Sequence, residues 1–205
     1  DARTGNLLRR FEVLERNSCS SWGYVGVLED FLIGSSQKKG ASLGLHSRKV
    51  PESESYYDNR PIATGCALFC IDRRNSTILW LYKNAGGSAI INPTITCSLD
   101  SVFFIESTDP QALKASNGRV PLEVLLRKSR IVCLKLRTGE VRWSREFEGK
   151  DMRHALFAAF SKGILVVVGT RNEGKHPAYD LRAYSAKDGE LLWKASYVRG
   201  DKPIN

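Results

Sequence analysis

One nine-residue pattern returns four times along this 205-residue chain, and it constrains the fold more than any other feature. The copies read DARTGNLLR (1–9), DRRNSTILW (72–80), KLRTGEVRW (135–143) and SAKDGELLW (185–193). In each, a turn pair separates two strand-like stretches: Thr4-Gly5, Asn75-Ser76, Thr138-Gly139 or Asp188-Gly189. Gly, Asn and Asp accept the positive φ that tight hairpin turns require. Each copy is therefore expected to form a β-hairpin ending on an anchor residue: Arg9, Trp80, Trp143 and Trp193.

Two further apolar bursts follow each of the first three hairpins. They are Trp22–Leu28 with Phe31–Ile33, Ile90–Cys97 with Val102–Ile105, and Ala155–Phe160 with Ile164–Val168. Short turn-prone links join them (Glu29-Asp30, Leu99–Ser101 and Ser161–Gly163), which predicts more hairpins. Successive anchors are 71, 63 and 50 residues apart, yet anchor to end of second burst is 27 residues each time. The variation falls between the second and third strands of each unit. Setting aside 37–64, 108–127 and 171–177 leaves 43 residues in all three repeats. Four strands in about 40–45 residues is the size of a propeller blade.

A lone four-stranded blade exposes both faces, and stacking blades around an axis covers them. A large aromatic at one fixed position per blade wedges neighbouring sheets together through the area it buries. Trp80, Trp143 and Trp193 are thus expected to be structural blade-docking residues. The fold class expected is all-β, a partial propeller of three to four blades in a single domain over 1–205. One short helix is predicted, within Val120–Lys128, with Pro121 at its first helical position. The insertions 37–64 and 108–127 are expected to emerge on one face as surface decoration. Binding residues concentrate on such loops. His46, Tyr56, Tyr57 and Asp58 are the residues to watch there.

Hydrophobic content of 42% argues against a disordered chain. The apolar runs, Ile164–Val168 among them, are far too short to span a membrane. The net charge of +9 includes a cluster at Arg127, Lys128, Arg130, Lys135, Arg137, Arg142 and Arg145. Interleaved with strand residues and without a nucleic-acid motif, these cations are expected to face solvent. A polyanion-binding surface is the weaker alternative. None of the five cysteines sits in a CxxC pair, which argues against zinc. Cys66 and Cys70 share one expected strand about 13 Å apart, too far for a disulfide. The cysteines are expected to be mostly buried free thiols, with one long-range bridge left open.

The strand after each anchor is expected to line a central channel. Asn92 with Pro93 lies near the start of one such strand, His154 with Ala155 near another, and Glu106 ends the strand that follows. Asn92 and Glu106 are the two cofactor-binding candidates, since an amide and a carboxylate beside a channel can hold a cation or a quinone. Their plainer role, and that of His154 and His176, is local hydrogen bonding. No catalytic triad, phosphate loop or dinucleotide fingerprint is present, and catalytic residues stay unassigned.

The copies DARTGNLLR, LFCIDRRNSTILWLYK, IVCLKLRTGEVRW and LRAYSAKDGELLW resemble repeats of quinoprotein-like propellers, the superfamily of pyrroloquinoline quinone (PQQ) dehydrogenases. WGYVGVLEDFLIGSSQKKGASL and GGSAIINPTITCSLDSVFFIES look like the large PQQ-like repeat proteins of planctomycete-type bacteria. That resemblance implies a propeller in which Trp docks one blade on the next. It also implies a periplasmic or otherwise exported location, and PQQ and calcium as the cofactors to test. Arg9 departs from the docking Trp, and the family's adjacent cysteine pair is absent. The function expected is a binding or scaffold module whose partners are proteins or further blades. A quinoprotein oxidoreductase with its site partly outside this chain is the alternative. Family propellers have seven or eight blades, so the chain is expected to be a fragment, to assemble with another copy, or to be an open array.

Overall fold

The computed structural model describes residues 1, 3–14, 19–42, 61–83, 86–153, 156–173 and 176–198. The chain is all-β with antiparallel sheets, and its strands fall into three four-stranded units. Unit I pairs β1 (Cys19–Leu28), β2 (Phe31–Lys38), β3 (Ile62–Asp72) and β4 (Ile78–Tyr82) in chain order. In unit II the first strand is split into β5 (Ala89–Ile91) and β6 (Thr96–Cys97) by a 3₁₀ turn at Asn92–Thr94, where Pro93 cannot donate to a ladder. Both pieces pair with β7 (Ser101–Ser107), which pairs β9 (Ser129–Lys135) and then β10 (Val141–Glu146). Unit III is β11 (Leu156–Ser161), β12 (Ile164–Glu173), β13 (His176–Ser185) and β14 (Leu191–Val198). A short β3–β5 ladder, Thr64 opposite Ile91 and Gly65 opposite Ile90, joins units I and II into one continuous sheet.

The repeated turn has one construction. The fifth residue's N–H donates to the first residue's carbonyl in all four copies: Gly5 to Asp1, Ser76 to Asp72, Gly139 to Lys135 and Gly189 to Ser185, at 2.8–2.9 Å. That fifth residue has φ of 71°, 64°, 70° and 75° respectively. The fourth residue is Thr4, Asn75, Thr138 or Asp188, and its side-chain oxygen accepts from the N–H of the sixth at 2.9–3.4 Å. Only a short oxygen-bearing side chain bonds the backbone two residues on in this way, which explains the recurrence of Thr, Asn and Asp. The first copy departs from the expectation. Residues 3–14 keep the turn but form no strand.

Core layers lie between the units. Phe69 and Ile71 pack with Phe11, Val13 and Leu14, so the N-terminal segment covers the outer face of unit I. Leu68, Cys70, Trp80, Val102, Phe104, Val132 and Leu134 fill the layer between units I and II. Phe103, Ile105, Ile131, Cys133, Trp143, Leu156, Leu165 and Val167 fill the layer between units II and III. Alternate residues of β7 and β9 thus enter opposite layers, as the two-residue period of a strand dictates.

The second insertion corrects the expectation of a surface decoration. Its helix α2 (Leu122–Leu126) lies within the predicted span, with Pro121 as its N-cap instead of its first helical residue. Leu122, Leu125 and Leu126 are buried in the layer between units II and III. A second helix, α1 (Pro110–Lys114), was not expected. Asp109 caps it by accepting from Gln111 N at 2.8 Å, and Pro110 opens its first turn. Between the helices, β8 (Arg119–Val120) pairs Ala63 and Ile62 at the start of β3, so this segment clasps unit I to unit II. The stretch 171–177 is no insertion where it is described: β12 and β13 continue their ladder to Glu173 opposite His176. The centre of the first insertion, residues 43–60, lies outside the described residues, as do His46, Tyr56, Tyr57, Asp58, His154 and Ala155.

Candidate functional site: the seams between units and the polar groups within them

Each anchor tryptophan sits one residue after a β-bulge. Trp80 lies opposite Cys70 while Ile78 lies opposite Ile71, so Leu79 is the extra residue. Trp143 lies opposite Cys133 with Arg142 extra, and Trp193 opposite Ala183 with Leu192 extra. A bulge raises the local twist and re-aims the next side chain, and here a small residue opposite leaves room for the indole. Trp80 Nε1 donates to Leu136 O at 2.6 Å, and Trp143 Nε1 donates to Ala186 O at 3.0 Å. Both acceptors are the second residue of the next repeat. Their own N–H groups donate to the first turn of their unit, at Asp100 O and Gly163 O, which fixes the acceptor's direction. Arg9 makes the same connection: its Nη1 donates to Arg73 O, again the second residue of the next repeat.

The glycine of the turn completes the seam. A Cβ at Gly139 would lie 2.6 Å from the Trp80 ring, and one at Gly189 would lie 2.6 Å from Trp143. The indoles therefore rest on bare backbone. The copy that carries Ser76 in this place is the copy faced by Arg9. Trp193 differs from the other two. It is 43% exposed against 7% and 9% for Trp80 and Trp143, and among the described residues no further unit stands in front of β14.

Asn92 is buried at the junction of units I and II. Its Oδ1 accepts from Ser35 Oγ at 2.8 Å, and its Nδ2 donates to Gln37 Oε1 and Ala63 O, both at 3.4 Å. Gly23 and Gly65 leave the space it fills, since a Cβ at either would fall under 3 Å from the amide. Glu106 is fully buried. Its Oε1 accepts from Arg130 Nε at 2.7 Å and from Tyr82 Oη at 2.9 Å. Burial, reinforced by the charge of Glu106, pushes the Tyr82 phenol above its ordinary range. Glu106 Oε2 has no hydrogen-bond partner among the described residues. The arrangement does not fit calcium, which takes six to eight oxygen ligands. Arg130 already balances the carboxylate, and Asn92 is spent on protein partners. No group of three or more His, Cys, Asp or Glu is placed to hold a metal among the described residues.

The basic cluster is largely occupied. Arg130 pairs with Glu106, Lys135 with Glu140 at 2.7 Å, and Arg142 with Asp100 at 3.0 Å. Arg127 lies 3.8 Å from Glu123, Arg145 donates to Asp188 O, and Arg137 stacks over Phe31. Lys194 and Glu148, 3.1 Å apart, tie unit III to the segment that leaves unit II. His176 lies at the start of β13.

Two cysteines depart from the expected free thiols. Cys19 and Cys66 form a disulfide with a Cα separation of 6.6 Å, joining β1 to β3 across β2. Cys66 is not bonded to Cys70. Cys70 and Cys133 are buried free thiols, and Cys97 is half-buried. Burial pushes the Cys70 and Cys97 thiols up to about 12 and that of Cys133 up to about 11, which favours their protonated form. The register contained the signal for the bridge. Cys19 lies opposite Lys38 at one end of β2, and Gln37 at that same end lies opposite Gly65.

The outer face of unit III is a continuous apolar sheet. The cross-strand rows are Ala159–Val166–Ala183–Trp193 and Phe157–Val168–Leu181–Ala195, with Tyr179 opposite Tyr197 beyond them. Phe157 and Tyr197 are 57% and 60% exposed.

No protein-family model and no curated protein matches this sequence. Among solved structures the chain is similar to BamB from Moraxella catarrhalis, with 12% identity over 83% of this chain and 74% of that one. The TM-score is 0.21. No helix among the described residues is long and apolar enough to cross a membrane.

Proposed function

We propose that this chain is a partial β-propeller of the quinoprotein-like type, a single domain of three four-stranded blades, that works as a binding or scaffold module in an exported protein. The observation that carries this reading is the outer face of unit III, a four-stranded apolar surface with Trp193 at its edge and no cover among the described residues. A contiguous apolar patch of this kind marks a protein–protein contact. The seams support the propeller, because the same indole-to-carbonyl contact joins unit I to II and unit II to III. The Cys19–Cys66 bridge supports export, since such bonds persist in oxidising compartments.

Calorimetric titration of the folded chain with PQQ in the presence of calcium tests the reading. We expect no saturable heat. Binding at one quinone per chain would replace the scaffold reading with an oxidoreductase one, and Asn92→Ala and Glu106→Gln would then be the first variants to make.

A further inference from the structure

The two ends of strands β9 and β10 treat their cations differently. At the end that carries the repeated turn, Lys135 and Arg142 are each closed by a carboxylate. At the opposite end, Arg127, Lys128, Arg130 and Arg145 line one groove of about 360 Å³, together with Ser144 and Glu146. Three of these cations are held from behind. Arg130 commits Nε and Nη2 to Glu106 and Tyr82, which leaves Nη1 over on a side chain that is 35% exposed. Arg127 donates through Nη1 to Gln111 Oε1 at 2.9 Å, and Arg145 donates through Nε to Asp188 O at 3.0 Å. Both of those acceptors are uncharged. Glu123 stands off at 3.8 Å from Arg127, and the Lys128 ammonium has no partner among the described residues. A guanidinium gripped on one edge keeps its remaining N–H groups in a fixed fork, the geometry that a carboxylate accepts.

The groove runs beside an unpaired strand edge. β10 pairs with β9 on one side and, among the described residues, with no strand on the other. An extended segment can add to such an edge through main-chain hydrogen bonds, with every second side chain on one face. Ser144 and Glu146 mark the face in question, since they lie opposite Val132 and Arg130 in the ladder. We propose that the β10 edge and this groove take an extended acidic segment of a partner protein, whose alternate Asp or Glu side chains reach Arg127, Lys128 and Arg130. Charge complementarity selects that occupant, because four cations and one carboxylate line the groove. No aromatic side chain lines it, so it lacks the stacking platform on which single-stranded nucleic acid binds. The inference rests on the scaffold reading and deepens it by naming the chemistry of the partner segment.

Fluorescence anisotropy of a labelled octapeptide of alternating Glu and Val, titrated with the full chain, tests it. Saturable binding is expected, weakening as salt rises because exposed charges are screened. Lys128→Glu and Arg127→Glu should each weaken binding by about tenfold. Lys187→Glu makes the same change of charge on an exposed residue at the turn end of unit III and should leave binding unchanged. Circular dichroism confirms that the variants are folded. Hydrogen exchange at the amides of β10 should slow when the peptide is bound. Absence of saturable binding overturns the inference, as does an equal loss from Lys187→Glu or unaltered exchange in β10. Displacement of the peptide by an equal concentration of pyrophosphate or of a single-stranded oligonucleotide also overturns it, since the groove would then be a phosphate site. None of these outcomes touches the scaffold reading, whose own test is quinone binding.

Discussion

Strands β7 and β12 carry similar sequences and have different surroundings. SVFFIES in unit II is buried at every position, with Phe103 and Ile105 in one layer and Val102 and Phe104 in the other. ILVVV in unit III is just as apolar, yet only Leu165 and Val167 are buried while Ile164, Val166 and Val168 stay half-exposed. A strand with apolar residues on both faces is built to be covered on both. Among the described residues unit II has a neighbour on each side and unit III has one. The same contrast separates Trp143 from Trp193. Burial here comes from the neighbouring unit, while the strand sequence records only how many neighbours it requires.

Truncation should break this symmetry most strongly. Phe103→Ala removes a ring that packs on Trp143 at 6.1 Å and stacks on Phe160 at 5.4 Å, and should cost about 3–5 kcal/mol in a denaturant melt. Phe157→Ala on the outer face should cost less than about 1 kcal/mol. Equal losses would mean that the outer face of unit III is covered in solution. Reduction of Cys19–Cys66 should come next, at about 2–4 kcal/mol. Hydrogen exchange then shows whether β12 loses protection together with β2, in which case the units unfold as one body, or keeps it. Without reduction, alkylation of the unfolded chain should label three cysteines, and all five after reduction. The seams differ by less. Trp80→Phe and Trp143→Phe leave a seam carbonyl without its donor and should each cost about 1–3 kcal/mol, while Trp193→Phe should stay within about 0.5 kcal/mol. The smallest effect is a pH slope in units I and II. Hydrogen bonds from Arg74 hold Asp72 at about 2, and those from Ser101, Ser98 and Arg142 hold Asp100 at about 2. The unfolded chain keeps its carboxyls near 4, so it binds more protons between those values. Stability should therefore rise from pH 2 to 4, be complete above that, and be lost as pH falls through about 2. Asp100→Asn should flatten the slope.

Much of the architecture was legible because it is written in local chemistry. The turn residues, the two-residue alternation and the recurring anchor locate the hairpins and the four-strand unit without reference to anything distant. What was hidden depends on pairing across the chain. The Cys19–Cys66 bridge needs the β1–β2–β3 register, which no single segment reveals. Asn92 and Glu106 stood out as polar residues near strand ends, and only the fold shows their partners, Ser35 and Gln37 for one and Tyr82 and Arg130 for the other. Helix α1 was the avoidable omission, since Asp109-Pro110 is a helix-start signal that the strand repeat overshadowed.

The seam acceptor has an evolutionary consequence. Arg73, Leu136 and Ala186 share no side-chain chemistry, yet each presents the same main-chain oxygen to the unit before it. Mutation cannot delete a backbone carbonyl. A lineage built on such a junction can exchange nearly every residue around it, duplicate or lose whole repeats, and still have its modules meet in the same way. Descendants of one ancestor would then keep a shared assembly plan long after their sequences had stopped resembling one another.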